Sequence, residues 1–140
     1  MAKVVIDTNV VVSALISSAG NPAKILNMVF NEDIQIYYSQ EILDEYREVL
    51  SRKHFNFRPE IQTGILDAIE EAGFMVNPAV SSIPLPDERD RIFYDATVES
   101  NALLITGNAR HFPDKAFIVT PTHFISMIDA ENGNAVSSGC

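Results

Sequence analysis

An α/β fold is predicted, with a central parallel sheet of about five strands and helices on both faces. Three observations predict it. Short apolar runs bounded by polar or turn residues read as strands, and segments with apolar residues at helical spacing lie between them. Alternation of the two favours parallel strands joined by helical crossovers. No internal repeat and no linker interrupts the pattern.

The elements follow in order. The first strand is Lys3 to Ile6, with Asp7 at its exit. Ile25, Met28 and Val29 form one helical face, and Pro22 stands near that helix's start. A second strand, Gln35 to Tyr38, leads into Ser39–Leu50, where Ser39 is an N-cap and the early acids suit the helix dipole. At about 100° per residue, Ile42, Leu43, Tyr46, Val49 and Leu50 share one face, Asp44 and Glu48 face solvent, and Glu45 borders the apolar stripe. Ile61, Ile65, Leu66 and Ile69 make a further helical face before the third strand, Phe74 to Val76. Residues 77–86, with three prolines and two serines, read as a long loop. Asp87 caps the next expected helix, whose first turn holds Asp90. Strands at Leu103 to Ile105 and Phe117 to Val119 complete the sheet. Residues 1–130 are expected to form a single domain, and residues 131–140 a flexible C-terminal tail.

The chain has 140 residues, 46% apolar and 21% charged, which fits one soluble core. Its single cysteine, Cys140, rules out an intramolecular disulfide and a cysteine-based zinc site and fits a reducing cytoplasm. The apolar start is too short and too polar for a signal peptide, and no run approaches a membrane span, so a cytoplasmic, non-membrane protein is expected. The formal charge of -9 argues against a broadly phosphate-attracting surface and suits a basic protein partner. A nucleic-acid path would have to use local clusters: Arg52, Lys53 and His54 with Arg58, or Arg89, Arg91 and Arg110.

In open parallel sheets ligands bind beyond the carboxyl ends of the strands, so acids at strand exits and helix starts are the candidates. Asp7 is a ligand or a simple helix cap. Glu45 is the acid of its helix best placed to aim inward, with Glu41 as second choice; the alternative is that both are surface acids. Asp87 and Asp90 are ligands or solvated capping acids, and Asp95 projects to a different side. Thr106 and Asn108 offer neutral oxygens around Gly107, and His111 contacts phosphate or packs with Phe112.

These segments, Val5-Ile6-Asp7-Thr8-Asn9-Val10, Ser39 with Glu41, Glu45 and Tyr46, Asp87 and Asp90 with Phe93 and Ala96, and Leu104-Ile105-Thr106-Gly107-Asn108 before His111-Phe112-Pro113, come in an order that resembles the PIN-domain family of metal-dependent nucleases. The resemblance is to its bacterial and archaeal toxin-like (VapC-like) members. It implies an acidic pocket at the strand ends and an endoribonuclease that is the toxin of a toxin-antitoxin pair, with RNA as substrate, a small antitoxin as partner and homodimers. It places catalysis and metal binding on Asp7, Glu45 and Asp90, with Asp87 as an additional ligand and Asn9, Glu41, Thr106 and Asn108 in support. Many members carry Asp where this chain has Asn108, an uncharged and weaker ligand, which bears on a second metal. An all-oxygen set selects hard cations, Mg²⁺ with Mn²⁺ as substitute, over zinc.

Two other readings compete. Aspartate-nucleophile phosphatases need a second acid two positions after the first, where this chain has Asn9, and no P-loop or dinucleotide-binding glycine motif is present. A non-catalytic RNA- or protein-binding module that keeps the nuclease fold draws on Asn108 and the acidic surface.

Overall fold

The computed structural model describes the backbone of residues 1–139 and the side chains of residues 1–132. Five strands, β1 (Lys3–Ile6), β2 (Gln35–Tyr38), β3 (Phe74–Met75), β4 (Leu103–Ile105) and β5 (Ile118–Val119), pair in the order β3-β2-β1-β4-β5. All the pairings are parallel, with Val4 opposite Ile36 on one side and Leu103 on the other. Val4, Val5 and Ile6 are all buried although successive side chains point to opposite faces, so both faces of β1 are covered. The expected α/β architecture is the observed one. Both outer strands come out one residue shorter than expected, although the Val76 N–H still donates to the Tyr38 carbonyl and the Phe117 carbonyl still accepts the Leu104 N–H, each at 2.8 Å.

The crossovers are α1 (Thr8–Ile16) with α2 (Asn21–Phe30), then α3 (Gln40–Leu50) with α4 (Pro59–Ala72), and later α5 (Arg91–Ser100), with α6 (Pro121–Gly139) at the end. Ser39 caps α3 by accepting the Ile42 N–H at 3.2 Å, and its expected apolar face is the buried one. In α4 the inward stripe is narrower than expected. Leu66 and Ile69 are buried, but Ile61 is 46% exposed because the first turn of α4 runs past the edge of the core. Gly73 lets α4 close onto the sheet: a Cβ there would stand 2.6 Å from Ile36 Cγ2 and 2.8 Å from the Ile36 carbonyl oxygen. The helix α6 extends across residues 131–139, the segment read as a flexible tail, and Cys140 lies outside the described residues. Among the described residues, no helix is long and apolar enough to cross a membrane.

The long loop is present as expected, irregular through residues 77–86. It does not run directly into an α-helix. A 3-10 turn, Glu88–Asp90, comes first, and Asp87 caps that turn by accepting the Arg89 N–H at 2.9 Å. Asp90 then occupies the cap position of α5 without making a side-chain cap bond.

Candidate active site

The strand order reverses direction between β1 and β4, and such a reversal opens a crevice at the carboxyl ends of the two strands. Asp7 leaves β1 there and Thr106 leaves β4. The two are joined at the backbone by Asp7 N–H to the Ile105 carbonyl at 2.9 Å, and at the side chains by Thr106 Oγ1 donating to Asp7 Oδ2 at 2.7 Å. Asp7 also precedes α1, yet its carboxylate makes no cap bond. The capping explanation of this aspartate therefore does not hold in this structure.

A cleft of about 230 Å³ brings Asp7, Glu45, Asp87 and Asp90 together, with Asn9 and Asn108 on its wall. These acids come from a strand exit, the middle of α3 and the 3-10 turn with its cap. Glu45 is half-buried and accepts Thr8 Oγ1 at 2.7 Å through Oε2. Glu41 is exposed and outside the cleft lining; one helical turn earlier on α3, it falls beyond the rim. Thr106 is wholly buried behind Asp7 and also accepts the Asn108 N–H at 3.0 Å. Asp95 is buried on the far side of α5. A larger cavity of about 630 Å³ lies between that side of α5 and residues 79–83, and it contains none of the cleft's acids.

Burial and mutual repulsion tune the acids. Desolvation raises the Asp7 carboxyl above its ordinary range, and the charge of Glu45 adds to it, against the lowering hydrogen bond from Thr106. Asp90 is pushed up to about 6, first by desolvation and then by the charges of Asp7 and Asp87. Asp87 moves the other way, held low by its fork of bonds with Arg89.

The cationic groups are distributed differently from the sequence expectation. Arg52, Arg89 and His111 line the cleft, while Lys53, His54, Arg58 and Arg110 do not. His111 is exposed, so packing does not explain its ring; Phe112 alone is buried. Arg91 turns away to the 77–86 loop and is not available on the rim. Sequence reasoning gave no site role to Thr8, although the hydroxyl next to Asp7 was the signal. Nor did it anticipate that Tyr46, buried under the cleft, donates its hydroxyl to the Ile6 carbonyl and ties α3 to the end of β1.

The donor set is all oxygen, which fits a hard divalent cation rather than zinc. Among the described residues, no three His, Cys, Asp or Glu side chains are gathered as they stand into a group that could hold a metal ion. The carboxylates are tied instead to Thr106, Thr8 and Arg89. Their chemistry fits the cation, and their convergence on it requires side-chain movement.

A family model of the PIN domain matches residues 3–110. An uncharacterized protein of Methanocaldococcus jannaschii is 41% identical over 110 residues, covering 76% of this chain and 70% of that relative. The crystal structure of VapBC2 from Rickettsia felis bound to a DNA fragment from their promoter superposes with a TM-score of 0.58. It covers 84% of this chain and 96% of that one at 16% identity, a likeness of fold. With a matched segment that takes in Asp7, Glu45, Asp87, Asp90 and Asn108 and most of the chain, this protein belongs to the PIN-domain family.

Proposed function

We propose that this chain is a divalent-metal-dependent endoribonuclease, the toxin of a toxin-antitoxin pair, with Asp7, Glu45 and Asp90 as its catalytic and metal-binding acids. The observation that carries this reading is the convergence of acids far apart in the chain on one crevice at the strand ends. Two of them have raised pKa values because burial desolvates them and like charges stand close by. A cation relieves that crowding.

Asp7, Glu45 and Asp90, with Asp87 beside them, would hold Mg²⁺ or Mn²⁺. The ion, when bound, supplies positive charge against the phosphodiester and acidifies water. Thr106 and Thr8 fix the rotamers of Asp7 and Glu45 through one oxygen each. Asp90 lines the cleft beside Asp7 and would take the proton of the water that attacks phosphorus. The water oxygen bonds to phosphorus as the P–O3′ bond breaks, and the 3′ oxygen takes a proton from solvent, which would leave a 3′-hydroxyl and a 5′-phosphate. Asn9 and Asn108 offer amides to the sugar-phosphate backbone, and Arg52, Arg89 and His111 attract it locally despite the net charge of -9. The same acidic crevice accepts a basic side chain from an antitoxin, which would block cleavage. In the toxin reading the protein is cytoplasmic and forms homodimers.

A second reading, a binding module that grips RNA or protein without cutting, is favoured by Asn108 and by carboxylates tied to threonine and arginine. The decisive experiment is cleavage of structured and unstructured RNAs across a Mg²⁺ and Mn²⁺ titration, with chelator controls. The nuclease reading expects cleavage that needs the metal and is abolished in a folded Asp7→Asn protein. Metal-independent association with no cleavage would establish the binding module instead, and full activity in Asp7→Asn would remove Asp7 from the mechanism.

A further inference from the structure

Arg91 follows Asp90 directly, yet its guanidinium leaves the cleft and only 14% of its side chain is exposed. All the faces of the fork are engaged. Nε and Nη2 each donate to one oxygen of Glu88 at 2.7 Å. Nη1 donates to the Ser81 carbonyl and hydroxyl at 2.9 Å, and Nη2 to the Ile83 carbonyl at 2.7 Å. One turn along α5, Asp95 Oδ2 accepts the Ser81 N–H at 3.1 Å, although Oδ1 is left buried with no partner among the described residues. The irregular segment 77–86 is thus fastened to α5 at both its N–H and its carbonyl groups. Through Glu88 the same guanidinium grips the 3-10 turn that carries Asp90 and is capped by Asp87.

An exposed ion pair contributes little to stability, and Glu88 is 70% exposed, but the Arg91 side chain is largely covered and its fork also bonds the main-chain carbonyls of Ser81 and Ile83. The charges that act most strongly on Asp90 are those of Asp7, Asp87, His111 and Arg89, and Arg91 is not among them. Its influence on Asp90 therefore runs through backbone position rather than through its field. We propose that Arg91 is a positioning residue: by clamping the 77–86 strap to the Glu88–Asp90 turn, it sets where Asp87 and Asp90 stand and so sets the cation affinity of the cleft. The inference rests on the cation-site reading above.

The test uses the full chain and its Arg91→Ala, Arg91→Lys and Glu88→Gln variants, with Glu71→Gln as a charge control on exposed α4. Mn²⁺ affinity is measured by calorimetry, and amide hydrogen exchange at Ser81 and Asp90 without metal. Outer groups that orient metal ligands change affinity by about 10- to 100-fold. Arg91→Ala is expected to weaken Mn²⁺ binding by about tenfold or more and to speed exchange at both amides, with cleavage recovering at saturating Mg²⁺. Arg91→Lys should restore little, because an ammonium cannot bridge the strap and Glu88 as a planar fork does. Glu88→Gln should weaken binding in the same direction, and it decides the matter if Arg91→Ala fails to fold. Variants that match a metal-binding wild type within about twofold would overturn the positioning role alone; a wild type that binds no Mn²⁺ would overturn the cation site itself.

Discussion

Thr8 and Thr106 hold two acids of the cleft in place. Each hydroxyl takes one carboxylate oxygen at 2.7 Å, so Glu45 and Asp7 keep a defined rotamer in a pocket where repulsion would otherwise push them apart. Asp90 has no such partner, and it is the group lifted to about 6 from 3.8. A carboxyl whose folded pKa lies above its unfolded value favours folding most below the unfolded value, and that contribution is lost as pH rises through the folded one. For Asp90, and for Asp7 in the same direction, the metal-free protein should therefore gain heat stability between pH 7 and pH 5. Protons then compete with the cation, so Mn²⁺ affinity should fall by about tenfold per unit below pH 6. Calorimetry at pH 7.5, 6 and 5 checks this, and Asp90→Asn should flatten the dependence. An affinity unchanged across that range would remove Asp90 from the ligand set.

Among the elements, α3 and the turn before α5 carry the site in different ways. The helix α3 is tied by its own residues: Ser39 caps it, Tyr46 anchors it under β1, and Glu45 is delivered at the edge of its buried stripe. The 3-10 turn is held from outside, by Arg91 and the strap. Arg89 and Arg91 differ by only two positions, yet one reaches into the cleft and the other clamps a loop. At the α4 and β3 junction Gly73 is needed for close approach rather than for a left-handed backbone. Its absent Cβ would also stand 2.8 Å from the Tyr38 ring carbon Cε1. Gly73→Ala should therefore destabilise the fold by about 1–3 kcal/mol, the usual result of forcing extra volume into a packed site. Urea denaturation measures it. Because this junction is remote from the cleft lining, cleavage by the folded fraction should be unchanged.

For the molecule as a whole, the net charge of -9 and the clustering of acids at one end of the sheet are the reason the proposed cation should stabilise the fold. A cation that binds only the folded chain stabilises it by mass action, about 2.7 kcal/mol at a hundredfold excess over Kd. That should raise the melting temperature by roughly 10 °C for a chain of this size. Thermal melts with Mn²⁺ and then with chelator read the shift and its reversal. Asp7→Asn should abolish the shift while keeping the fold, and a shift of wild-type size in that variant would place the cation elsewhere.

Alternation of strand and helix, the Ser39 cap, the stripe of α3 and the strand-exit position of Asp7 were all legible in the sequence, because local spacing and propensity dictate them. So was the side of α3 on which Glu45 falls, since helical geometry alone places it. The 3-10 turn before α5, the exposure of Ile61, the threonine partners of the acids and the opposite fates of Arg89 and Arg91 were not. Each depends on which distant segment arrives as neighbour: β4 brings Thr106 to Asp7, α1 brings Thr8 to Glu45, and the 77–86 loop draws Arg91 away from the rim. Periodicity constrains a residue's direction from its own element. What it meets in that direction is set by packing between distant parts of the chain, as with Asp7 and Thr106, 99 residues apart.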